Sequence, residues 1–259
     1  KPGEDRREIL AKWMASPKNP WFAKNMANIV WSHFLGKGIV EPVDDVRISN
    51  PPSNPELLEE LGKRFSDSKY DFRKLVRDIC TSRTYQLAAV SNSSNEDDTR
   101  NFSKGYIRRM RAEVLLDAIN TVTESPDKFS GIPMGSRAVE IIDGRTSTYF
   151  LTTFGRATRG TVCSCEVQID PNLSQALNLL NGPTVNNKVT GAKWLKEMIT
   201  AKKTPAEIVN EIYWRCLSRA PSTAETAKLQ EFFNDPKELT NAYNDIFWAV
   251  LNSKEFIFN

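Results

Sequence analysis

The residue types best suited to chemistry gather in one stretch, Cys163-Ser164-Cys165-Glu166, which follows three arginines, Arg145, Arg156 and Arg159. On extended backbone, two sulfurs two residues apart point to the same face. They can then share a metal ion, close a strained small-ring disulfide, or pair separately with distant partners. A zinc site would need further ligands, and Cys80, Cys216 and His33 are the ones available. Cys80 and Cys216, however, sit among apolar residues of helical segments, where a free buried thiol is commonplace. The plainer reading is structural thiols or a structural disulfide, with no cofactor expected; zinc or another metal at Cys163 and Cys165 is the alternative. Covalent haem attachment is disfavoured because no Cys-x-x-Cys-His is present.

Three further groups qualify as candidates. His33 is the only histidine, so any mechanism that needs two is excluded, and a packed or capping role is the simpler one. Asp44 and Asp45 with Glu41 could ligate calcium or act as paired carboxylates on a glycoside. Acids in a proline-rich loop more commonly cap helices or pair with arginines. Arg145, Arg156 and Arg159, together with Lys104, Arg108, Arg109 and Arg111, could form an anion-binding surface. The competing reading is a buried salt-bridge network with Glu113, Asp117 and Glu166. Arg156, Arg159, Glu166, Asp44 and Asp45 are thus the candidate binding residues.

The elements that must position these groups read as helices. Glu4–Ala15 is amphipathic, with Ile9, Leu10, Trp13 and Met14 on one face. Asn19 and Pro20 signal the start of a second, strongly apolar helix that stops at Gly36. The segment 38–54 holds three prolines and reads as an irregular loop laid over that helix. Asn54 and Asp71 can cap the next two helices. The polar run 91–103 is a candidate mobile loop or lobe boundary. A helix is expected over 108–123, although the RRMR at its start opposes the helix dipole. RAVEII and TYFLTTF are β-branched and aromatic enough to pair as a small ribbon. Leu173, Ala176, Leu177 and Leu180 form one face of the helix that follows, which stops at Asn181-Gly182. Beyond Thr190 the chain is helical, with capping boxes at Thr204–Glu207 and Ser222–Glu225. The expected fold is therefore mainly α, an irregular multi-helix domain with one β ribbon around residues 137–165. It forms one domain over 1–259 that can divide into two lobes, 1–90 and 104–259.

Composition limits the function classes. Hydrophobic residues make up 40% and charged residues 26% of the chain, an ordinary globular balance. The 35 basic and 32 acidic side chains leave a net charge of +3, too weak a field for a dedicated phosphate-backbone binder, so nucleic acid is not an expected partner. No apolar run reaches the roughly eighteen residues of a membrane span. The start, KPGEDRREIL, has neither an initiator Met nor an apolar signal core, which suggests a processed product or an excised part of a longer chain.

Taken together, REILAKWMASPKNPWFAKNMANIVWSHFLGKGIVEPVDDVRISNPPSNPELLEEL, RDICTSRTYQ, RRMRAEVLLDAI, TYFLTTFGRATRGTVCSCE, NLSQALNLLNG and LNSKEFIFN resemble the planctomycete surface-protein domain of unknown function. That domain lies C-terminal in large envelope proteins that often carry a cytochrome-c-like domain. In one departure, Val167 stands where similar members carry an arginine after Cys-x-Cys-Glu. The resemblance implies a cell-envelope address, periplasmic or surface-exposed, and partners among other domains of a parent protein or an envelope partner. It implies no activity. The leading expectation is a non-enzymatic docking module. The alternative is a redox or metal-dependent enzyme module that acts on envelope polysaccharide or with a cytochrome-like partner domain.

Overall fold

In the computed structural model, residues 5–161, 167–168 and 170–258 are described. The helices form where local signals demand them. Asp5 caps α1 (Arg6–Met14) by accepting from Arg7 N. α2 (Phe22–Leu35) begins two residues later than Pro20 suggests, because Asn19 Oδ1 accepts from both Trp21 N and Phe22 N, and it ends at a left-handed Gly36. Asn54 and Asp71 cap α3 (Pro55–Asp67) and α4 (Phe72–Cys80) through Leu57 N and Lys74 N, as their positions predict.

These helices belong to one compact unit that ends at Ile107; a second begins at Arg108. The first unit buries Ala27, Val30 and Trp31 of α2 against Leu58, Leu61 and Phe65 of α3 and Leu75 and Ile79 of α4. The loop 38–54 is fastened to α2 by Asn28, which is fully buried. Its Nδ2 donates to Val40 O (3.0 Å) and Val43 O (3.3 Å), and its Oδ1 accepts from Val40 N (3.0 Å).

In the second unit the arginine-rich start of the expected helix is extended instead. Arg109 forms an isolated antiparallel bridge with Phe258, Met110 N donates to Ile257 O (3.0 Å), and α5 spans only Ala112–Thr123. Unwinding RRMR takes Arg108 and Arg109 away from the positive end of the helix dipole and leaves Arg111 there as the N-cap. The expected ribbon around 137–165 is not what its described residues form. Residues Ala138–Glu140 make a 3₁₀ turn, and Tyr149–Thr153 make a short helix, α6. The reason is spacing: Ala138 and Ile141 are buried three residues apart, and Phe150, Leu151 and Phe154 are buried at i, i+1 and i+4, while Tyr149 is 73% exposed. A strand would have buried alternate residues. Thr148 caps α6, and the Asp117 carboxylate accepts from Ala138 N (2.6 Å) and Val139 N (3.1 Å).

The remaining helices are α7 (Leu173–Asn181), α8 (Pro183–Gly191), α9 (Lys193–Thr200), α10 (Pro205–Leu217), α11 (Thr223–Leu229), α12 (Leu239–Leu251) and α13 (Lys254–Ile257). Both capping boxes form, at Thr204–Glu207 and Ser222–Glu225. Ser253 splits the expected last helix by capping α13. The core joins Leu115, Leu116 and Ile119 of α5, Phe150 of α6, Ile208 and Ile212 of α10, and Phe247 and Leu251 of α12. Among the described residues, no helix is long and apolar enough to cross a membrane.

Around Ser222, the Arg219 guanidinium takes both Glu225 (2.9 Å) and Glu255 (2.7 Å). Arg219, with Ser222, holds the Glu225 carboxyl down to about 2. Because the folded value lies below the ordinary one, this contribution is complete above about pH 4.5 and is lost as pH falls toward 2. Glu225→Gln is therefore expected to cost about 1 kcal/mol near neutrality and nothing at the acid end, as read from thermal unfolding across that window.

Candidate functional site

Arginines hold the described residues that flank α6. Arg156, with only 2% of its side chain exposed, donates to Thr146 O (2.6 Å), Asp143 O (2.7 Å) and Ile141 O (3.2 Å). Its Nε lies 3.5 Å from Glu113 Oε1, close enough for an ion pair though not for a well-formed hydrogen bond. Arg109 donates to Met110 O (2.8 Å), Phe154 O (3.0 Å) and Gln168 O (2.9 Å), and stacks 5.2 Å over the Phe154 ring, which itself lies parallel to Phe150. Burial pushes the Arg109 guanidinium below its ordinary value, and Asp170 offsets part of this. Exposed Arg159 donates to Ile142 O. A planar guanidinium fits this task because its fixed fork can serve several carbonyls at once.

Two glycines permit the close passage of the chain. A side chain on Gly144 would place Cβ 1.6 Å from Thr158 O, and Gly155, at φ +76°, approaches Gln168 O. Gln168 N donates to Gly155 O (3.1 Å), which fixes these two positions of the chain side by side. Of the expected anion-binding arginines, Arg156 is therefore spent on backbone carbonyls and Glu113. The salt-bridge reading holds for Glu113, while Asp117 serves the 3₁₀ turn. Glu166 lies outside the described residues, as do Cys163 and Cys165.

The other candidates separate from this loop. Glu41 Oε2 accepts from Gly38 N (2.8 Å), and Asp45 accepts from Arg47 (2.8 Å), so both acids hold the shape of the loop 38–54; Asp44 is exposed in the same loop. The cis Glu41-Pro42 bond lies in the same turn. His33 is exposed, its ring edge-on to Phe34 at 5.1 Å. Beside this loop a groove of about 340 Å³ runs past Trp21, Ile48, Pro51 and Pro52, with Lys24 and Glu59 paired at its edge. Asp44 and Asp45 do not line it.

Cys80 and Cys216 are free thiols, both partly buried on helices. Burial pushes the Cys216 thiol up to about 12, with Arg215 opposing. Since the thiolate is the reactive form, Cys216 is expected to resist a thiol reagent in the native protein and to react on denaturation. Fast native labelling, located by mass spectrometry, would contradict this. Among the described residues no three His, Cys, Asp or Glu side chains converge as metal ligands.

Sequence reasoning passed over two buried residues that also fasten loops, Asn28 and Lys188. Asn28 gave no signal, since asparagine inside a helix usually faces solvent. Lys188 is buried and donates to Ser125 O (2.6 Å) and Asp127 (3.1 Å). Its helix, α8, was not expected from sequence, although Pro183 after Gly182 and the Val185/Val189 spacing are signals that could have found it.

Fold and site together define an all-helical module in which buried arginines and an asparagine hold long loops in place. The chain belongs to the PSD1 family, described as a protein of unknown function (DUF1553), whose sequence model matches residues 6–233. No curated protein and no solved structure matches it.

Proposed function

We propose that this chain is a non-enzymatic docking module of a larger cell-envelope protein, and that it holds another domain of that parent protein through α1. The observation behind this reading is that α1 has no buried residue, yet carries Ile9, Leu10, Trp13 and Met14 on one face, with Trp13 54% exposed. An apolar face of this kind on a water-facing helix marks an interaction surface, and a tryptophan surrounded by aliphatic residues is the usual anchor of one. Trp21, just beyond α1, is exposed as well. Asp45, Arg156 and Arg159 support the reading because they are engaged in loop architecture. A planctomycete-like origin and a cytochrome-like neighbour domain belong to the same proposal, carried by the sequence resemblance.

The test is calorimetric titration of this chain into the remainder of the parent protein. Wild type is expected to bind, and Trp13→Glu to weaken binding by about tenfold or more. The absence of any wild-type heat, or equal affinity for the variant, would refute the docking role of α1. For zinc or another metal at Cys163 and Cys165, elemental analysis of the purified chain is decisive. The docking reading expects no stoichiometric metal; one bound ion per chain would favour the metal-dependent alternative.

A further inference from the structure

We propose that the first unit contains a binding site for a small oxyanion, a carboxylate or an inorganic sulfate or phosphate, in the cavity between Trp31, Ser53, Thr84 and Arg100. The cavity measures about 120 Å³, about four water volumes. That is enough for an anion of a few heavy atoms and too little for a sugar or a nucleotide.

The case begins with two orphaned polar groups. Trp31 is 2% exposed, and among the described residues its indole Nε1 has no acceptor and the buried Ser53 Oγ has no partner. Both side chains line this cavity. An indole N–H can only donate, and leaving it unsatisfied in the interior costs about 1–3 kcal/mol. A group that accepts from both would recover that cost. Thr84 and Arg100, which carry a hydroxyl and a guanidinium, line the same cavity, and Arg100 carries no ion pair to any described residue. Among the described residues no carboxylate lines the cavity. One donor-only group, two hydroxyls and one cation form a set that suits a negatively charged acceptor.

The wall carrying Arg100 is tied together by hydrogen bonds. The Asp98 carboxylate accepts from Arg100 N (3.0 Å), Asn101 N (2.8 Å), Ser103 N (3.0 Å) and Ser103 Oγ (2.5 Å). These bonds hold its carboxyl well below the ordinary carboxylate range. The turn so formed forces Phe102 into a left-handed conformation, φ +57°, and seats its buried ring edge-on against Trp31 at 5.2 Å. Non-glycine residues held at positive φ cost about 1–3 kcal/mol and concentrate at ligand clamps. Asp98 is the acid of this turn; its oxygens are already occupied by those donors, and it does not line the cavity. The polar run 91–103 thus encloses one side of a pocket.

The experiment is a ¹H–¹⁵N spectrum of the whole chain, in which the six tryptophans give six indole N–H signals. The Trp31 signal is assigned from Trp31→Phe, or from its contacts to Phe102 if that variant does not fold. Sulfate, phosphate and acetate are titrated in turn, with sodium chloride holding ionic strength constant. The Trp31 signal alone is expected to move and saturate. Arg100→Gln, an exposed substitution, is expected to raise the midpoint by about tenfold or more. A response to sulfate or phosphate but not acetate identifies a tetrahedral anion, and the reverse a carboxylate. A Trp31 signal indifferent to all three anions would mean that the cavity holds water alone. An Arg100→Gln variant that titrates like wild type would mean that no built anion site exists. Either result overturns the proposal.

Discussion

Replacing Arg156 with Met is expected to lower the unfolding free energy of the protein by about 3–5 kcal/mol, the range found when one member of a buried charged pair is removed. The side chain reaches the Thr146, Asp143 and Ile141 carbonyls and the Glu113 carboxylate from a position almost closed to water. Met can fill the volume but serves none of these acceptors, and each acceptor left dry costs about 1–3 kcal/mol. Arg156→Lys is expected to recover only part of the loss, because one ammonium cannot span carbonyls that a guanidinium fork reaches from both nitrogens. Arg159, exposed and donating to Ile142 O, is the internal control. Its Met variant is expected to cost less than about 1 kcal/mol. Urea unfolding of the three variants measures all of this, and equal effects at 156 and 159 would mean that the buried fork does not hold the loop.

Asn28→Leu is expected to destabilise the first unit by about 2–4 kcal/mol. The substitution keeps the approximate volume and orphans both polar groups of Val40, together with the carbonyl of Val43, at about 1–3 kcal/mol for each group that water cannot reach. The loss is expected to appear locally first, as faster amide exchange through residues 38–54. Asn28→Asp is expected to be nearly as harmful, since a carboxylate accepts from Val40 N but cannot donate to either carbonyl. If exchange in that loop matches wild type in both variants, the loop is held by its prolines and not by Asn28.

The parts of this fold that sequence makes readable are those decided within a few residues. Asn54, Asp71, Thr204 and Ser222 cap the helices their positions indicate, because a cap is a contact between residues three apart. The errors arise where tertiary packing decides. TYFLTTF has strand-like composition, yet Phe150, Leu151 and Phe154 share a helical face, and spacing prevails over propensity. The apolar face of α7 does not point inward: Leu173, Leu177 and Leu180 are exposed, while Gln175 and Asn178 are buried. Gln175 Nε2 donates to Thr153 O, so α7 meets α6 through a polar side chain that no apolar periodicity reveals. Of the candidate site, the positions of Arg156, Arg159, Asp44 and Asp45 could be chosen from sequence, though their work could not. Whether an arginine faces carboxylates or carbonyls depends on backbone brought in from other parts of the chain.

Exposed apolar faces on α1 and α7 are what a docking module needs and what a self-sufficient domain would bury. The most direct measurement is hydrogen exchange over Arg6–Met14, compared between this chain alone and the intact parent protein. Exchange is expected to slow by about tenfold or more in the parent, as α1 becomes covered and its opening costs more. Equal exchange in the two settings would contradict the account.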